Sequence, residues 1–548
     1  MGLSVIFHAL EWKQVSLPHP CVQCSNVDES PTVDTSKPQL TALQPETMLW
    51  RYRATSAARG TEKIEMGTGG DTRRASLARA MATLTSGMLV ACGGEAAAPA
   101  PAAPTAPTKA PGAAPTAAMA ATAAPAPTAA PKQKGPPVEV SFNTWYDAVV
   151  PPIQPLFKKF EEEFNVKLTV DLNASNRDTA KYTAWYASGT APDVVCGDNF
   201  IWSKFYNSNA ILEISDYLKR DKIDLKKDYV LMGSEFWCGK TYAFPFDADP
   251  RAVYYNKTLL KQAGAKDPWD DFKGKWTLED MQEMMVKTAR VTGNSGTDVY
   301  GVRTDAWAMS ESNGMFIWTW GGVWADFETM KYTLDSKAAL EAQEFIKGWY
   351  DRKLIMPASV NTELGGGEKA FGQGRAVFRI RAAAAHNAIR KEIGGNFEYD
   401  IAPFPGRTKD QPGVTIVSGN PHTVSKTTKV ADQAYEFIKW LGGPDIQNFW
   451  AKEKVQLPTL KTAQAEYVRD PKLHTQVFAD SYKVPYGIHF RHDNTRRHYD
   501  EYAVEMNDVF AGKKTLTDTI KAFNTRINNE VEYGSCLPYK GSAVPIKP

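Results

Sequence analysis

A sharp break in composition near residue 137 constrains this sequence more than any other feature. Residues 95–137 contain 19 Ala and 11 Pro in 43 positions and no aromatic side chain. Such a segment cannot bury enough apolar surface to offset the conformational entropy of the chain. Because its prolines favour extended stretches, we predict that residues 93–137 are a disordered, semi-rigid tether that carries a folded domain.

An export signal precedes the tether. Arg73 and Arg74 stand ahead of a modest apolar stretch, 80–91, which is followed by Cys92. This order resembles a bacterial lipoprotein signal, in which the small residue before the cysteine permits cleavage and the cysteine becomes the lipidated first residue. The resemblance implies lipidation of Cys92 and a membrane anchor on the outer face of the cytoplasmic membrane. Twin-arginine export and general export both remain open.

Residues 1–65 do not fit this signal, since signal peptides lie at the true N-terminus. They mix polar runs with a Cys-rich turn and have no sustained hydrophobic period. Met66, by contrast, begins a stretch of normal signal length that ends at Cys92. We interpret 66–92 as the signal peptide, and 1–65 as either mis-translated upstream sequence or a separate disordered segment.

Residues 138–548 hold 13 of the 15 Trp, and so nearly all of the capacity to form a core. The 64 Lys plus Arg nearly balance the 62 Asp plus Glu, a charge too neutral for a dedicated nucleic-acid binder. Six cysteines are too few for a disulfide-built scaffold, and Cys21 and Cys24 lack the second pair that a zinc site needs. The sequence has no run of 18 apolar residues, so it does not indicate a polytopic membrane protein. We expect a globular working part without metal or cofactor.

Hydrophobic periodicity predicts the order strand, helix, strand, helix, strand at the start of this part. Apolar residues alternate with polar ones over 138–142 and 168–172, and they recur at helical spacing over 153–164. A further helix ends near Gly189, and a short apolar strand follows at 192–195. This succession predicts a mostly parallel sheet covered by helices, with ligand sites beyond the carboxyl ends of its strands.

Two of these strand ends carry aromatic rings beside polar oxygens. The first strand runs into Trp145 and Asp147, and the third into Asp198, Asn199 and Trp202. Sugars pack their C–H faces on rings and need planar polar partners for their hydroxyls. These five residues are therefore predicted to contact a carbohydrate. The alternative is that both tryptophans simply cover the sheet.

A series of short motifs then runs in order through the globular part. These are 187–195, 239–245, 252–257, 300–301, 318–322, 368–371, 374–377, 402–406 and 434–441. In this order they resemble extracellular solute-binding proteins of family 1, the maltose-binding-protein-like receptors of ABC importers. The resemblance covers essentially 138 to about 540.

The resemblance implies an α/β fold of two lobes, the periplasmic-binding-protein-like fold, with a mostly parallel, helix-covered sheet in each lobe and the ligand in the cleft between them. By analogy, lobe one comprises 138–250 and 412–460, and lobe two comprises 251–411 and 461–548. The implied function is that of a monomeric receptor that binds a sugar or oligosaccharide and delivers it to the membrane subunits of an ABC permease.

The resemblance also implies ligand contacts from lobe two. Glu311, Trp318 and Trp320 fall in a segment that supplies ring and hydrogen-bond contacts in the family. The two tryptophans are two residues apart, so on a helix only one of them faces the cleft. Arg381 stands where relatives often carry an aromatic pair, and its guanidinium suits a carboxylate, a phosphate or a pair of sugar oxygens. This departure argues against a maltodextrin.

Further cleft candidates are polar or glycine positions. Gly419 and Asn420 follow a strand predicted at 414–416, and glycine there lets backbone amides approach a ligand. Tyr486 and Arg491 lie near the ligand by family position, and we expect Asp247 to accept a hydrogen bond at the cleft rim. Three histidines accompany Arg491, namely His489, His492 and His498, but arginines crowd any cation, so a metal site is not predicted.

Two other functions remain open from the sequence. The arginines leave room for a charged solute such as a polyamine, a peptide or a phosphosugar. A tethered extracellular hydrolase is the other alternative, but the chain has no Gly-x-Ser-x-Gly, no His-Glu-x-x-His and no defensible carboxylate pair. We therefore expect a binding protein and not an enzyme.

Cysteines in an exported protein are free to oxidise. Cys196 and Cys238 both fall in lobe one, so a disulfide between them is possible if their Cα atoms lie close enough. Cys536, near the C-terminus, is expected to be unpaired.

Overall fold

Two five-stranded sheets flanked by helices organise the part of the chain that a computed structural model describes. The described residues are 135–173, 178–304, 312–484, 486–534 and 536. Segment 1–65, the predicted signal at 66–92 with Cys92, and most of the predicted tether lie outside these residues, as does Glu311.

The strands, in chain order, are β1 (Val138–Thr144), β2 (Val166–Leu172), β3 (Val194–Cys196), β4 (Phe236–Trp237), β5 (Lys240–Thr241), β6 (Ala243–Phe244), β7 (Asp249–Asn256), β8 (Tyr300–Arg303), β9 (Ala325–Asp326), β10 (Lys331–Tyr332), β11 (Ala376–Ala382), β12 (Tyr399–Ala402), β13 (Val417–Ser418) and β14 (His422–Val424). The helices are α1 (Val150–Phe164), α2 (Thr179–Ser188), α3 (Trp202–Asn207), α4 (Ser215–Asp221), α5 (Leu225–Asp228), α6 (Lys257–Gln262), α7 (Leu278–Thr288), α8 (Ser312–Thr319), α9 (Lys337–Asp351), α10 (Ala358–Glu363), α11 (Gly367–Gly372), α12 (His386–Ile393), α13 (Ala431–Leu441), α14 (Pro444–Glu453), α15 (Lys461–Tyr467), α16 (Gln476–Asp480), α17 (Thr495–Phe510) and α18 (Leu516–Asn528).

The first sheet has the strand order β2-β1-β3-β14-β6. β1 runs parallel to β2 and β3, and β14 runs antiparallel to β3 and β6. The predicted order of strand, helix, strand, helix and strand is confirmed. Gly189 ends α2 in the left-handed conformation (φ 69°), which glycine adopts without steric cost.

Aromatic rings hold α1 and α13 against this sheet. The ring centroid of Phe437 on α13 lies 5.2 Å from that of Phe142 on β1 and 5.1 Å from that of Phe160 on α1. All three side chains are buried. Offset and edge-to-face pairs of this kind add to the free energy gained from burial. The apolar stripe predicted at 153–164 is therefore buried on α1, and together with α13 it forms part of the core of the first lobe.

The second sheet has β7 near its centre, in the order β12-β7-β11-β8, with β13 paired to the start of β7. All eight residues of β7 are buried. β7 runs antiparallel to β11 and β12, while β8 is parallel to β11. This sheet is mixed and not mostly parallel, because the chain enters it along β7 from the first sheet and the later strands run against β7.

Three chain segments lie side by side between the two sheets. The start of β7 pairs with β13, with Asp249 opposite Ser418 and Pro250 opposite Val417. The amide of Val417 donates to the carbonyl of Gly487 at 2.9 Å, and the amide of Gly487 donates to the carbonyl of Thr415 at 2.8 Å. Within 414–418 only residues 417–418 form a strand, so the strand predicted at 414–416 is displaced toward the C-terminus.

The two sheets draw on different stretches of chain. The first uses residues up to Phe244 together with 422–424, and the second uses 249–256, 300–303, 376–382, 399–402 and 417–418. The lobe boundaries at 250, 411 and 460 remain predictions. Across the described ranges, no helix is both long enough and apolar enough to span a bilayer.

The disulfide of the described chain joins Cys238 to Cys536, with their Cα atoms 5.9 Å apart. The suggested Cys196–Cys238 bond and the unpaired Cys536 are therefore both wrong. Cys196 ends β3 within the first sheet and is fully buried, whereas Cys238 lies in the turn between β4 and β5. The sequence offered no sign that the C-terminal residues return to this turn.

Candidate functional site

A buried carboxylate, Asp247, organises the first lobe next to the three crossing segments. It is 1% exposed and lies two residues before β7. Its Oδ1 accepts the backbone amide of Asn420 at 2.6 Å, and its Oδ2 accepts the Tyr146 hydroxyl at 2.9 Å. Oδ2 also accepts Nδ2 of Asn420 at 3.1 Å and Nε2 of Gln456 at 3.3 Å. Asp247 therefore binds three other parts of the lobe together.

Burial dominates the ionisation of this cluster. Burial, followed by the nearby charge of Asp249, raises the pKa of Asp247 to about 7, although the hydrogen bonds from Asn420 and Tyr146 oppose the shift. Burial and the same two carboxylates raise the pKa of Tyr146 well above its ordinary value. The Tyr146 hydroxyl therefore stays protonated and serves as the donor to Asp247.

Gly419 is required by the close packing beside Asp247. A Cβ atom at this position would lie 2.5 Å from the backbone oxygen of Asp247 and 2.6 Å from Cγ of Met232. Contacts this short are essentially absent from real structures, so any larger residue must displace the backbone. The loop predicted to contribute Gly419 and Asn420 is thus held against Asp247.

The crossing segments carry further polar contacts between the two sheets. Nη1 of Arg251 donates to the Ser418 hydroxyl at 3.2 Å, and Oδ1 of Asp249 accepts the amide of Ala384 at 2.9 Å. Arg251 is 5% exposed and Asp249 is 9% exposed. Charged groups buried in this way need hydrogen-bonding partners, so the interlobe region is built as a polar site and not as an apolar hinge.

Glu235, which the sequence did not single out, forms another buried acid beside this region. It is 2% exposed, and its Oε1 accepts the amide of Met232 at 3.2 Å. Arg491 donates from Nη2 to the carbonyl of Gly233 in the same turn. Burial raises the pKa of Glu235, while backbone amides and the charge of Arg491 oppose the rise. Only its place before β4 was visible in the sequence, and that pattern is not specific.

Four buried polar atoms around these groups have no hydrogen-bond partner among the described residues: Asn199 Oδ1, Glu235 Oε2, Gln456 Oε1 and the Tyr482 hydroxyl. Burial raises the pKa of Tyr482, and the charges of Asp249, Tyr486, Asp247 and Glu235 add to the rise, so its hydroxyl stays protonated and can donate. Leaving such an atom unsatisfied costs about 1–3 kcal/mol. A bound molecule rich in hydroxyl groups would satisfy both kinds of atom.

The residues predicted at the first strand end have different surroundings. The Trp145 ring is half-buried and stacks on the Tyr146 ring, with centroids 4.6 Å apart and planes at 22°. Because Tyr146 bonds to Asp247, the Trp145 ring is fixed beside the buried cluster. Asp147 is exposed.

Trp202 corrects the prediction made at the third strand end. Its ring is fully buried, and ring centroids of Tyr182, Phe205 and Tyr206 each lie 6.1 Å away. Its six-membered ring also covers Gly197. Trp202 therefore packs in the core of the first lobe and offers no open ring face, because α3 starts at this residue and turns it inward.

The polar neighbours of Trp202 lie closer to the other lobe. Asp198 is 2% exposed, and Nη1 of Arg496 lies 3.9 Å from its Oδ2. Asn199 is 4% exposed. The ring of the next residue, Phe200, meets the His489 ring edge-on with centroids 4.8 Å apart. Asp198 thus lies beside Arg496 of α17, and the residue after Asn199 contacts His489, while Trp202 faces the lobe core.

The two lobe-two tryptophans occupy different environments. Trp318 is 1% exposed, packs against Trp324, and has its ring where a Cβ on Gly487 would lie. Trp320 is half-buried beside Phe345, under the guanidinium of Arg407. Trp320 lines an open depression of about 710 Å³ whose other walls come from Asp335, α9, Arg407 and Lys521. Trp320 therefore faces this depression, and Trp318 is core packing next to a crossing segment.

Arg381 is engaged with a neighbouring acid. Its Nε donates to Oε1 of Glu368 at 2.9 Å, and Nη2 of Arg379 reaches the same oxygen at 3.0 Å. Burial alone would raise the pKa of Glu368, but the charges of Arg379 and Arg381 and their hydrogen bonds lower it to about 2. Glu368 thus offsets part of the positive charge that Arg381 would offer to an anionic ligand.

Tyr486 and Arg491 do lie in the interlobe region. Tyr486 is 7% exposed and meets the Tyr482 ring edge-on at 5.8 Å, and burial together with Glu235 raises its pKa to about 12. The histidines nearby are buried: His492 Nε2 bonds to the Tyr332 hydroxyl at 2.7 Å and His498 Nε2 to Glu530 at 3.3 Å. No group of three or more potential ligands within the described ranges is placed to hold a metal ion.

Comparison with known families shows which family the chain belongs to. A profile of the bacterial extracellular solute-binding protein family matches residues 155–475, which is more than half of the chain. The chain belongs to this family. Its members are extracellular, so family membership implies export.

Similar proteins of known name are distant in sequence. A binding protein of Brucella abortus is 24% identical over 325 residues, covering 58% of this chain and 74% of that protein. The maltotriose-binding protein of Pyrococcus abyssi is 24% identical over 306 residues, covering 52% of this chain and 58% of that protein. The multiple sugar-binding protein of Streptococcus mutans is 23% identical over 404 residues, covering 69% of this chain and 88% of that protein.

Solved structures share the fold of the described chain. An ABC substrate-binding protein of Listeria monocytogenes in complex with cycloalternan superposes with a TM-score of 0.64 at 18% identity, covering 72% of this chain and 99% of that one. A solute-binding protein of Thermotoga lettingae bound to α-D-tagatose superposes with a TM-score of 0.62 at 17% identity, covering 72% of this chain and 99% of that one. The predicted two-lobed α/β fold is confirmed.

Proposed function

We propose that this protein is the receptor of an ABC importer, that it binds a sugar or oligosaccharide between its lobes, and that it delivers this ligand to the membrane permease. Family membership supports a solute-binding role. The names of similar proteins include maltotriose-binding and multiple sugar-binding proteins, and similar structures hold cycloalternan and tagatose. In this proposal the receptor acts as a monomer without a cofactor, catalyses no reaction and does not bind nucleic acid.

The observation that carries the proposal is the set of unsatisfied polar atoms on Asn199, Glu235, Gln456 and Tyr482. Three are acceptor oxygens and the fourth is a hydroxyl. Each sugar hydroxyl donates one hydrogen bond and accepts others, so a polyol matches such a mixed set better than an apolar ligand does. The Trp145 ring, stacked beside the cluster, suits the C–H face of a pyranose.

The charges near this set disfavour an anionic ligand. Four buried carboxylates lie in this region, on Asp198, Glu235, Asp247 and Asp249, although burial favours the neutral form of Glu235 and Asp247. The guanidinium groups of Arg251 and Arg491 are buried there, and that of Arg496 lies 3.9 Å from Asp198. Because the carboxylates offset these guanidinium groups, a phosphosugar would meet no excess of positive charge. The same balance favours a polyamine or a cationic peptide as the second candidate ligand.

We propose also that a lipid on Cys92 anchors the receptor at the outer face of the cytoplasmic membrane, with residues 93–137 as a spacer. When the protein is expressed from Met66, we expect it in the membrane fraction, and we expect Cys92→Ser to release it. Mass spectrometry of the native protein should find a lipidated Cys92 as the first residue. Detection of residues 1–65 in that product would contradict the start at Met66.

A thermal-shift screen tests the ligand class. The purified protein is heated with neutral sugars (maltotriose, tagatose and raffinose), spermidine, amino acids and glucose 6-phosphate. A ligand that binds only the folded state raises the melting temperature. A shift with a neutral sugar and none with glucose 6-phosphate supports the proposal, whereas a shift confined to spermidine supports the second candidate.

A further inference from the structure

The C-terminal helix is fixed to the second lobe. Asn528 at the end of α18 accepts the amide of Tyr332 at 2.7 Å and donates to its carbonyl at 2.9 Å. Tyr332 lies between α8 and α9, and Phe316 of α8 packs edge-on against Phe404, which follows β12 of the second sheet. The residues after Asn528 therefore start from the second lobe.

The next residues stay on that lobe for a short distance. The carbonyl of Glu530 accepts Nδ2 of Asn494 at 2.8 Å, and the carbonyl of Glu532 accepts the amide of Asp493 at 2.6 Å. Both partners precede α17. The carboxylate of Glu530 also pairs with Arg497 at 2.5 Å. Glu532 is the last residue of the chain with a described hydrogen bond to the second lobe.

Beyond Glu532 the chain reaches the first lobe. Tyr533 packs against the main core and also against the aromatic cluster of the first lobe that contains Trp202 and Trp237. A Cβ on Gly534 would lie 2.6 Å from Oδ1 of Asn207 at the end of α3. Cys536 is bonded to Cys238 in the β4–β5 turn.

Asn207 joins both lobes at the same place. Its Oδ1 accepts Nε1 of Trp237 at 2.7 Å, and its Nδ2 donates to Oδ1 of Asp493 at 2.8 Å. The disulfide thus lies beside a direct polar contact between the first lobe and the segment that precedes α17.

We propose that residues 529–534 and Cys536 form a covalent strap that limits how far the two lobes open. Glu532 is held by the second lobe and Cys536 by the first, and four successive Cα–Cα steps of 3.8 Å span at most about 15 Å. Wider opening would require 529–532 to leave their partners on the second lobe. The strap keeps the ligand-free protein close to its closed form, so that less of the binding free energy is spent on closing it.

The restraint on opening needs no ligand, so it can be tested apart from the proposed function. Peptide mapping of the full chain without reductant comes first, and absence of the Cys238–Cys536 bond would overturn the proposal. Small-angle X-ray scattering then compares the ligand-free protein with Cys536→Ser, Cys238→Ser and the double variant. We expect a larger radius of gyration in all three variants. The double variant should match the single variants, because each single change already removes the same disulfide. Lys240→Ala, on the same turn, keeps the bond and should match the wild type.

A second variant separates the length of the strap from loss of the bond. Six Gly and Ser residues inserted after Gly534 keep both cysteines but lengthen the span between the lobes. We expect this variant to retain the disulfide and to scatter like Cys536→Ser. If it and the serine variants all match the wild type, with cooperative unfolding confirmed by circular dichroism, the disulfide does not restrain the lobes and the proposal fails.

The effect on binding rests on the proposed function and is measured last. With a neutral sugar that shifts the melting temperature as the probe, the Kd of Cys536→Ser should rise roughly three- to tenfold. An unchanged Kd with a larger radius of gyration would overturn the link between the strap and affinity. Absence of binding by any sugar would contradict the proposed function and leave the scattering result intact.

Discussion

The carboxylate of Asp247 and the backbone amide of Asn420 form a 2.6 Å hydrogen bond between residues 173 positions apart in sequence. This bond holds the loop that contains Gly419 against the segment that leads into β7. Asp247 also accepts the Tyr146 hydroxyl, which lies under the Trp145 ring. The side chain expected to accept a hydrogen bond from ligand at the cleft rim is instead buried and occupied by donors of the protein itself.

Asp247→Ala should weaken ligand binding through its neighbours. The substitution removes the acceptor that holds Asn420, Tyr146 and Gln456 in place. Because these side chains then lose their fixed positions, we expect the affinity to fall roughly tenfold. Calorimetric titration with the sugar found by the screen measures the change. Asp216→Ala, an exposed acid in the same lobe, is the control and should bind like the wild type. Equal affinity in both variants would show that Asp247 does not position the site.

The same residue predicts how stability depends on pH. Its pKa rises from an ordinary 3.8 to about 7 in the folded state, because burial and Asp249 disfavour the charged form. The folded state therefore binds the proton more tightly, and this contribution is complete below about pH 4 and lost as the pH rises through about 7. The loss amounts to about 4 kcal/mol. Denaturant unfolding from pH 4 to 8 measures this loss. The free energy of unfolding should decline less with pH for Asp247→Asn than for the wild type. Equal declines in the two proteins would contradict the raised pKa of Asp247.

The two tryptophans predicted as a pair should now behave differently. Trp202→Ala opens a cavity in the first-lobe core and should lower the free energy of unfolding by about 3–5 kcal/mol. Trp145→Ala removes a half-buried ring and should mainly reduce affinity for the sugar, by about 1–3 kcal/mol. Chemical denaturation and calorimetric titration of both variants separate the two effects. A stable Trp202→Ala variant that no longer binds the sugar would instead support the prediction that both tryptophans contact the ligand.

Much of the fold was predictable because local patterns determine it. The strand at β1, the apolar stripe of α1 and the glycine that ends α2 each follow from spacing and from the conformations open to glycine. The strand at 417–418 was misplaced by about three residues, because Gly487 pairs with this segment from 70 residues further along the chain. A partner so distant in sequence leaves no periodic signal.

The Glu368 ion pair should make a measurable contribution to stability. Arg379 is nearly fully buried, and removal of its acidic partner leaves a buried charge uncompensated, at a cost of about 3 kcal/mol. Since the pKa of Glu368 falls from 4.5 to about 2, its contribution is present above about pH 4.5 and is lost as the pH falls through about 2. Glu368→Gln should therefore unfold more easily at pH 7 and approach the wild type near pH 2. Glu341→Gln, on an exposed helix face, is the control. If the difference in free energy of unfolding between Glu368→Gln and the wild type does not change with pH, the ion pair is not its cause.

The candidate site was only partly predictable. Asp198, Asn199, Asn420, Tyr486 and Arg491 were expected near the ligand and do lie in the interlobe region. Glu235 was missed because a single acid in a short turn has no distinguishing pattern, and its burial depends on Arg491 and Tyr482 from another part of the chain. Arg381 stays a predicted ligand contact, but its ion pair with Glu368 could not be foreseen because the acid lies on a different element.

Calorimetric titration of the purified protein with neutral sugars is the sharpest test of the proposed sugar-binding function. We expect at least one neutral sugar to bind at one site per chain with a micromolar or lower Kd, Asp247→Ala to weaken this binding, and glucose 6-phosphate not to bind. Binding of spermidine with no response to any neutral sugar would contradict the proposed function and identify the interlobe region as a site for cations.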